Sequence, residues 1–470
     1  MEKFIGREQE LKALNEMYHK NGFQMAVIYG RRRVGKSTLI NEFIKDKKNV
    51  FWPAIKTNRE RNLELFTQQV IQTLAPDMQN FSAEHPENLF AFLGSKCRNE
   101  RIVVVIDELP YWADKDPEIL SIMQNAIDND WLKGKMFLIL CGSSVSFMEK
   151  EVLSEKSPLY GRRTAQFRIE PFKYWDAAKF TPNYTYEEKA ICYGVTGGIP
   201  YYLSLIDDSM SLMDNLYSLF FTKNGYLFGE VNYLLEEEFS DVANYSAIID
   251  AIARGSSKPN EIADKSHIEV TAVSHKLNTL VETGIVEKRS AVTDEKNRKK
   301  VMYVLKDGMF RFWYKFVPNG FALIELGKSR PYFDKVVQPK ISEYMGDIFE
   351  DMCRDYTLLV GAEGMLKCFV TKTGKWWGTN PVLKETTDID VVGLDQMDKT
   401  AVIGECKFKN EACGKAEYDA LIGRTNLIHN EYSVVQYLIF SKSGFSDWLL
   451  QNKPDNTKLV SLEEMYQITG

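Results

Sequence analysis

The chain lacks the features of a membrane, secreted or zinc-bound protein. No apolar run is long enough to cross a bilayer, and the start, Met-Glu-Lys-Phe-Ile-Gly-Arg, lacks the charged-then-apolar layout of a signal peptide. Seven cysteines are scattered (Cys97, Cys141, Cys192, Cys353, Cys368, Cys406 and Cys413), an odd number with no C-x-x-C pair. That argues against a disulfide framework and against a zinc site, and for reduced thiols in a cytoplasmic protein. Positive charge is also in short supply. The formal net charge is −6 over 470 residues, so contact with nucleic acid has to come from a local basic patch. Apolar material is not lacking: 44% of residues are hydrophobic and 26% charged, enough for packed cores and against overall disorder. At this length several domains are expected.

What is present is a phosphate-binding loop. Met25-Ala26-Val27-Ile28-Tyr29 reads as a strand. Gly30-Arg31-Arg32-Arg33-Val34-Gly35-Lys36-Ser37 follows as a complete G-x-x-x-x-G-K-S, and Leu39, Ile40 and Phe43 give the next helix its inner face. The glycines let backbone N–H groups turn inward around a phosphate chain. Lys36 reaches the outer phosphates, the Ser37 hydroxyl holds Mg2+, Thr38 completes GKST, and the helix points its positive end at the same anion.

A second anchor is Ile102-Val103-Val104-Val105-Ile106-Asp107-Glu108. Its apolar run predicts a strand buried on both faces, hence a parallel sheet covered by helices. Acids at its C-terminal end lie where such sheets bind ligands. Asp107 is expected to bind Mg2+, directly or through water, and Glu108 to orient the attacking water. A third strand, Met136–Cys141, ends in Gly142-Ser143-Ser144, where either serine is placed to meet that water or the terminal phosphate. The loop Ser157–Thr164 then presents Arg162 and Arg163. Arg162 is the favoured candidate to neutralise transition-state charge, in cis or from a neighbouring subunit of a homo-oligomer.

Residues from about 186 to 235 read as helical, interrupted at Gly194-Val195-Thr196-Gly197-Gly198-Ile199-Pro200. Between about 236 and 320, Tyr245, Ile248, Ile249 and Ile252 share one helical face. Pro259 opens a short helix, and Val270, Val273, Leu277, Leu280 and Val281 lie on a third that Gly284 ends. Two short strands flank Asp294-Glu295-Lys296-Asn297-Arg298-Lys299-Lys300, completing a winged helix-turn-helix pattern. Evidence for DNA on the third helix is thin, because Glu269 and Glu282 flank His275 and Lys276, so a structural or regulatory role ranks above DNA contact. The aromatic segment Asp307–Val317 reads as a core helix docking two domains, with Pro318 as its end.

The C-terminal region, about 335 to 470, holds another acidic group. Thr387-Asp388-Ile389-Asp390-Val391 alternates as a strand, placing Asp388 and Asp390 on one face, and Glu405 and Lys407 share a face of the next strand. An Asp followed by Glu-x-Lys is the PD-(D/E)xK nuclease pattern. Asp390 and Glu405 supply oxygen ligands for Mg2+ or Mn2+, and Lys407 orients water or stabilises developing charge. Asp388 is a possible accessory ligand. Glu350 is a candidate for the additional acidic residue found on the first helix of such folds, but by helical spacing it falls opposite the apolar face, where a solvated charge is at least as good a reading.

Taken in order, these motifs resemble the prokaryotic archaeal-type ATPase family with a C-terminal DUF234 domain, within the STAND and AAA+ branch of P-loop ATPases. The resemblance runs through Phe4-Ile5-Gly6-Arg7-Glu8, the phosphate loop, Ile106-Asp107-Glu108, Pro158-Leu159-Tyr160-Gly161-Arg162 and Gly197-Gly198-Ile199-Pro200. It continues through Phe310-Arg311-Phe312-Trp313, Trp376-Trp377-Gly378, Asp388-Ile389-Asp390, Gly404-Glu405-Cys406-Lys407 and Ser441-Lys442-Ser443-Gly444-Phe445. It implies an α/β fold with a P-loop parallel sheet (1–170), a helical lid (171–235) whose Pro200 contacts the nucleotide, a winged helix-turn-helix (236–320) and a PD-(D/E)xK-like α/β domain (335–470). It further implies ATP with Mg2+ as cofactors and DNA or RNA as a partner of the last domain. The alternative is an ATP-driven regulator or scaffold whose last domain is a binding module that cuts nothing.

Overall fold

Apolar runs of five or six residues become strands covered on both faces. In the computed structural model, which describes residues 4–78, 81–294, 297, 300–381, 384–428 and 431–468, these are β1 (Gln24–Tyr29), β2 (Asn49–Pro53), β3 (Val103–Asp107), β4 (Phe137–Gly142) and β5 (Ala165–Arg168). Among the described residues they form one sheet in the order β2-β3-β4-β1-β5 with every pairing parallel. Alternate residues feed opposite cores: Met25, Val27, Val104, Ile106 and Leu138 go to one side. Ala26, Ile28, Val103, Val105 and Ile139 go to the other, with Leu14 of helix α1 (Glu8–Tyr18) and Leu39, Ile40 and Phe43 of α2 (Lys36–Ile44). A short helix, α3 (Leu109–Ala113), follows β3. The unit comprises Met1–Phe172 together with Ile199–Tyr201.

The second unit comprises Lys173–Gly198 and Tyr202–Gly470. Helix α4 (Tyr186–Thr196) starts with a capping box, Thr185 accepting from the Glu188 amide and the Glu188 carboxylate from that of Thr185, and stops at Gly197 with φ 63°. Helix α5 (Pro200–Ser204) begins three residues later. Helices α6 (Val242–Ala253), α7 (Pro259–Ser266) and α8 (Val270–Glu282) precede an antiparallel hairpin of β6 (Val286–Ser290) and β7 (Val301–Leu305), as the spacing predicts. Glu295, Lys296, Arg298 and Lys299 of the expected basic wing tip lie outside the described residues.

The chain leaving β6 does not project freely. The Val292 amide donates to the Lys375 carbonyl at 3.0 Å, and the Val292 side chain packs with Trp376 and Ile389. It thereby covers β8 (Lys372–Thr379), the edge strand of a second sheet.

Helix α9 runs Gly308–Glu325 and carries Pro318 inside it, so the expected end at Pro318 is corrected. Proline removes one backbone donor, but Phe316, Val317, Gly320 and Ile324 on either side are all buried. Packing of that face outweighs one lost hydrogen bond. Helix α10 (Gly346–Ala362) then lies against a mixed sheet of order β12-β11-β10-β9-β8, with β9 at Thr386–Asp395, β10 at Thr400–Lys407, β11 at Ser433–Ser441 and β12 at Thr457–Ser461. β8–β9 and β9–β10 are antiparallel, whereas β10–β11 and β11–β12 are parallel. Helix α11 (Lys415–Gly423) makes the parallel crossover between β10 and β11.

Two glycines fix how α4 and α9 meet. A Cβ on Gly308 would lie 2.4 Å from the Gly194 oxygen and 2.6 Å from the Gly197 nitrogen, both backbone atoms that cannot swing aside. Gly308→Ala is therefore expected to destabilise the second unit by roughly 1–3 kcal/mol. Gly346→Ala, where a Cβ meets nothing within 4 Å at the start of α10, is expected to stabilise it by about 0.5–1 kcal/mol. Chemical-denaturation midpoints of the two variants should move in opposite directions.

Candidate functional site

The phosphate loop takes its shape from backbone crowding. A Cβ on Gly30 would stand 2.3 Å from the Ile169 oxygen, so only glycine fits where β1 passes into the loop. Arg33 and Gly35 both hold left-handed backbone, with φ 69° and 89°. Lys36, 6% exposed, folds back over the loop and donates to the Gly30 and Arg31 carbonyls at 2.9 and 3.0 Å. Val34 is fully buried and anchors the loop, while Ser37 and Thr38 open α2 on its exposed side. Arg32 reaches the Tyr111 hydroxyl on α3 at 2.5 Å. Arg33 lies 4.9 Å over the Tyr201 ring, and Pro200 Cγ comes within 3.7 Å of where a Gly35 Cβ would be. Pro200 thus lies beside the loop.

Parallel strands end at the same edge, which brings the acids to the loop. The Ser37 hydroxyl donates to Asp107 Oδ2 at 2.9 Å, and Asp107 Oδ1 accepts from the Glu108 amide at 2.9 Å. Glu108 itself is left-handed, φ 50° and ψ 43°, a strained setting for a residue with a side chain and one common at functional sites. Its Oε2 accepts both the amide (3.1 Å) and the hydroxyl (2.7 Å) of Ser143. Ser144 instead spends its oxygen as a helix cap, accepting from the Phe147 amide. The two serines, equal by sequence, are separated by geometry, and Ser143 acts on Glu108.

Arg162 is placed otherwise than expected. Its guanidinium forks onto Asp128 at 2.8 and 2.6 Å and donates to the Pro158 and Tyr160 carbonyls, both at 2.9 Å. Arg163 donates to the Leu153 carbonyl. Both shape their own loop.

These residues fit a nucleotide and a divalent ion: a loop with left-handed backbone at Arg33 and Gly35, a buried ammonium, and a hydroxyl beside a carboxylate.

The second unit gathers its own charged cluster. Lys375, at a β-bulge where the β8–β9 register slips, sends Nζ to Glu350 Oε2 at 2.9 Å, Asp388 Oδ2 at 2.9 Å and Asp390 Oδ1 at 3.7 Å. Asp388 and Asp390 do reach one point, as the alternation implies. For Glu350 the solvated-charge reading is corrected. Its side chain is 15% exposed and bonded to Lys375 and Arg354, because α10 packs on the sheet along more than its apolar stripe. Burial first, and then the neighbouring Asp390, push its carboxyl up to about 7. Asp390 Oδ2 accepts the Cys406 amide at 3.0 Å. Glu405 divides its oxygens between Lys407, at 2.6 Å, and Arg424.

Asp390 and Glu405, expected as metal ligands, thus stand in ion pairs. Among the described residues no group of three or more His, Cys, Asp or Glu is placed to hold a metal. Sequence reasoning missed Lys375 and Arg424. The bulge and the crossover that aim them leave no spacing signature.

A family described as an ATPase domain predominantly from Archaea matches residues 4–206, and DUF234, described as archaeal and bacterial proteins of unknown function, matches 313–418. An uncharacterized protein of Methanocaldococcus jannaschii is 30% identical over 408 residues, 87% of this chain and 88% of that one. Among solved structures, a Walker-type ATPase of Pyrococcus abyssi aligns with TM-score 0.47 and 20% identity over 66% of this chain and 96% of that one. The Aeropyrum pernix ORC2 protein in its ADPNP–ADP complexes aligns with TM-score 0.46 and 13% identity over 70% and 98%. No helix among the described residues is long and apolar enough to cross a membrane.

The raised Glu350 carboxyl has a sign that experiment can read. Folding favours its protonated form, so its contribution to stability is complete below about pH 4.5 and is lost as pH rises through about 7. Glu350→Gln, which mimics the protonated form, is expected to gain on the parent by up to about 3 kcal/mol over that window. Denaturation midpoints from pH 4 to 8 measure the difference, and parallel curves would count against it.

Proposed function

The chain belongs to the archaeal-type ATPase family with a C-terminal DUF234 domain, and on that footing we propose that it hydrolyses ATP with Mg2+ and that its nucleotide state acts on the C-terminal domain. The observation that carries this is the convergence of Lys36, Ser37, Asp107, Glu108 and Ser143 at one edge of the parallel sheet. ATP binding and hydrolysis follow from the family. The roles of the residues are our reading.

In that reading Lys36 exchanges two loop carbonyls for the outer phosphates, and backbone N–H groups from Arg31 to Thr38 line the remaining phosphate oxygens. Ser37 and Asp107 would hold Mg2+, which when bound neutralises charge on the phosphates. Glu108 orients water for attack. Ser143 is a positioning residue: its two donors fix the carboxylate that does the orienting.

For the C-terminal domain, the order of its strands and the nearness of Asp390, midway along β9, to Glu405 and Lys407 at the end of β10 support a PD-(D/E)xK-like module that meets nucleic acid. A specific observation favours the second reading, a module that binds without cutting. Glu405 already holds two cations, Lys407 and Arg424.

Lys36→Ala is expected to weaken MgATP binding by roughly 10- to 100-fold, the worth of hydrogen bonds to a charged group. Glu108→Gln should retain binding and lose about 100-fold or more in phosphate release. Ser143→Ala should lower turnover with little change in KM, and Ser144→Ala should not. Calorimetric titration and a phosphate-release assay read all four; unchanged turnover in Glu108→Gln removes that residue from the mechanism. Incubating the protein with single- and double-stranded DNA and RNA, with Mn2+ and ATP, beside Lys407→Ala, separates the two readings of the last domain. Cleavage lost in the variant supports the first, and no cleavage in any combination supports the second.

A further inference from the structure

We propose that helix α4 is the lever by which nucleotide occupancy reaches the charged ends of β10 and β11, and that the ion pair Glu187–Lys442 is the joint through which it acts. The inference rests on the nucleotide-controlled reading above and adds the route.

The lever is joined through the chain itself to residues that pack on the loop. The three residues Ile199–Tyr201, which follow α4 directly after Gly197 and Gly198, belong to the nucleotide-binding unit. There Pro200 packs toward Gly35, and Tyr201 lies under the Arg33 guanidinium. Arg33 and Gly35 are two of the left-handed residues that shape the loop. A loop that tightens around phosphates therefore moves the residues to which α4 is covalently tied.

The body of α4 is gripped by the second unit at both ends. Near its C-terminus the Gly194 carbonyl accepts from the Tyr344 hydroxyl at 2.9 Å, and the same oxygen atom of Tyr344 lies 3.1 Å from the Gly308 carbonyl. A Cβ on Gly194 would come 2.6 Å from Met345 Sδ and 3.1 Å from Ile348 Cδ1. Near its N-terminus Tyr186 stacks on Tyr466 at 5.4 Å and 17°. A helix held this closely transmits displacement as a rigid body, because packed interfaces do not deform continuously.

The joint is Lys442. Its side chain is 4% exposed, and its ammonium meets Glu187 Oε1 at 2.8 Å and Asn410 Oδ1 at 2.6 Å, above the Phe408 ring at 5.2 Å. Burying an ammonium costs several kcal/mol unless it is paired, and removing the partner strands the charge. Here the partner carboxylate sits on a different element, α4. The position of α4 therefore decides whether Lys442 is comfortable where it is. The Lys442 amide also donates to the Lys407 carbonyl at 3.1 Å, next to the β10–β11 pairing of Lys407 with Ser441. Lys407 in turn pairs with Glu405. Glu187, Lys442, Lys407 and Glu405 form a continuous physical path from the lever to the C-terminal cluster.

The test is hydrogen exchange on the full chain, with and without saturating Mg2+ and a non-hydrolysable ATP analogue. The amides followed are those of Cys406–Phe408 and Ser441–Ser443. The parent should change exchange there by about fivefold or more on loading, the lower range of ordinary allosteric coupling. Glu187→Gln and Lys442→Met should lose that response while binding the analogue with affinity within about twofold of the parent. The double charge swap Glu187→Lys with Lys442→Glu should restore it. Glu187 is half exposed at the start of its helix, so its substitution leaves the core intact even if Lys442→Met does not fold. A response undiminished in Glu187→Gln overturns the route alone. A parent that binds the analogue and changes nowhere in the second unit overturns nucleotide control itself, and the route with it.

Discussion

A buried ammonium at the mouth of the first sheet sets the terms for everything around it. Lys36 is withdrawn from water, which is expensive for a lysine without strong acceptors. Two loop carbonyls supply them at 2.9 and 3.0 Å. Those carbonyls face inward because Gly30 passes so close to Ile169 that no side chain is tolerated. The Ile169 amide is in turn held by the Tyr29 carbonyl at 2.7 Å, so β5 pairing beside β1 is part of the loop's geometry. The remaining parts need no separate device. Strands that run in the same direction end together, and Asp107, Glu108 and Ser143 arrive at the ends of β3 and β4 by topology.

The second unit solves a different electrostatic problem. It brings Glu350, Asp390 and Glu405, with the more exposed Asp388 beside them, into a region where buried carboxylates are poorly hydrated, and offsets them from within. Lys375 serves three of them, while Lys407 and Arg424 serve the fourth. Asp351 is held well below the usual carboxylate range by Arg289, Arg354 and Arg311, against the opposing effect of burial. Arg289 comes from β6, and Asp351 and Arg354 from α10, so the Arg289–Asp351 pair ties the hairpin region to α10. Charge neutrality here is a structural condition. Removing one cation leaves a buried carboxylate unmatched, which costs more than the pair was worth.

How legible this was from sequence follows from the range of the signals. The strands β1, β3 and β4 were readable because uninterrupted apolar runs mean burial on both faces, and the loop because its chemistry fixes residue types at fixed spacing. The C-terminal Asp and Glu-x-Lys were readable for the same local reason. What stayed hidden is what long-range packing decides. Glu350 sits on the polar side of its helix by periodicity, yet that side faces β8. Lys375 is aimed by a register slip between two strands, and Arg424 by the end of a crossover helix. Arg162 looks available in the sequence and is spent on Asp128, thirty-four residues earlier in the chain. Pro318 is a breaker by local rule and is overruled by the buried residues around it.

The hairpin region shows how such packing bears on function. In α8, the helix a groove-binding domain would present, Val270, Thr271, Ser274, His275, Asn278 and Glu282 are exposed. Lys276 is not offered outward: it pairs with Asp241 at 2.6 Å and lies over Tyr245. Phosphate contact is carried by lysine and arginine, and this face presents a histidine and an acid in their place. The segment after β6, meanwhile, is committed to β8 through Val292. These two facts point the same way. The three helices and their hairpin are built into the second unit as part of its frame, with Arg289 reaching from the hairpin to Asp351 on α10. A frame of that kind fixes α9 and, through Gly308, the end of α4.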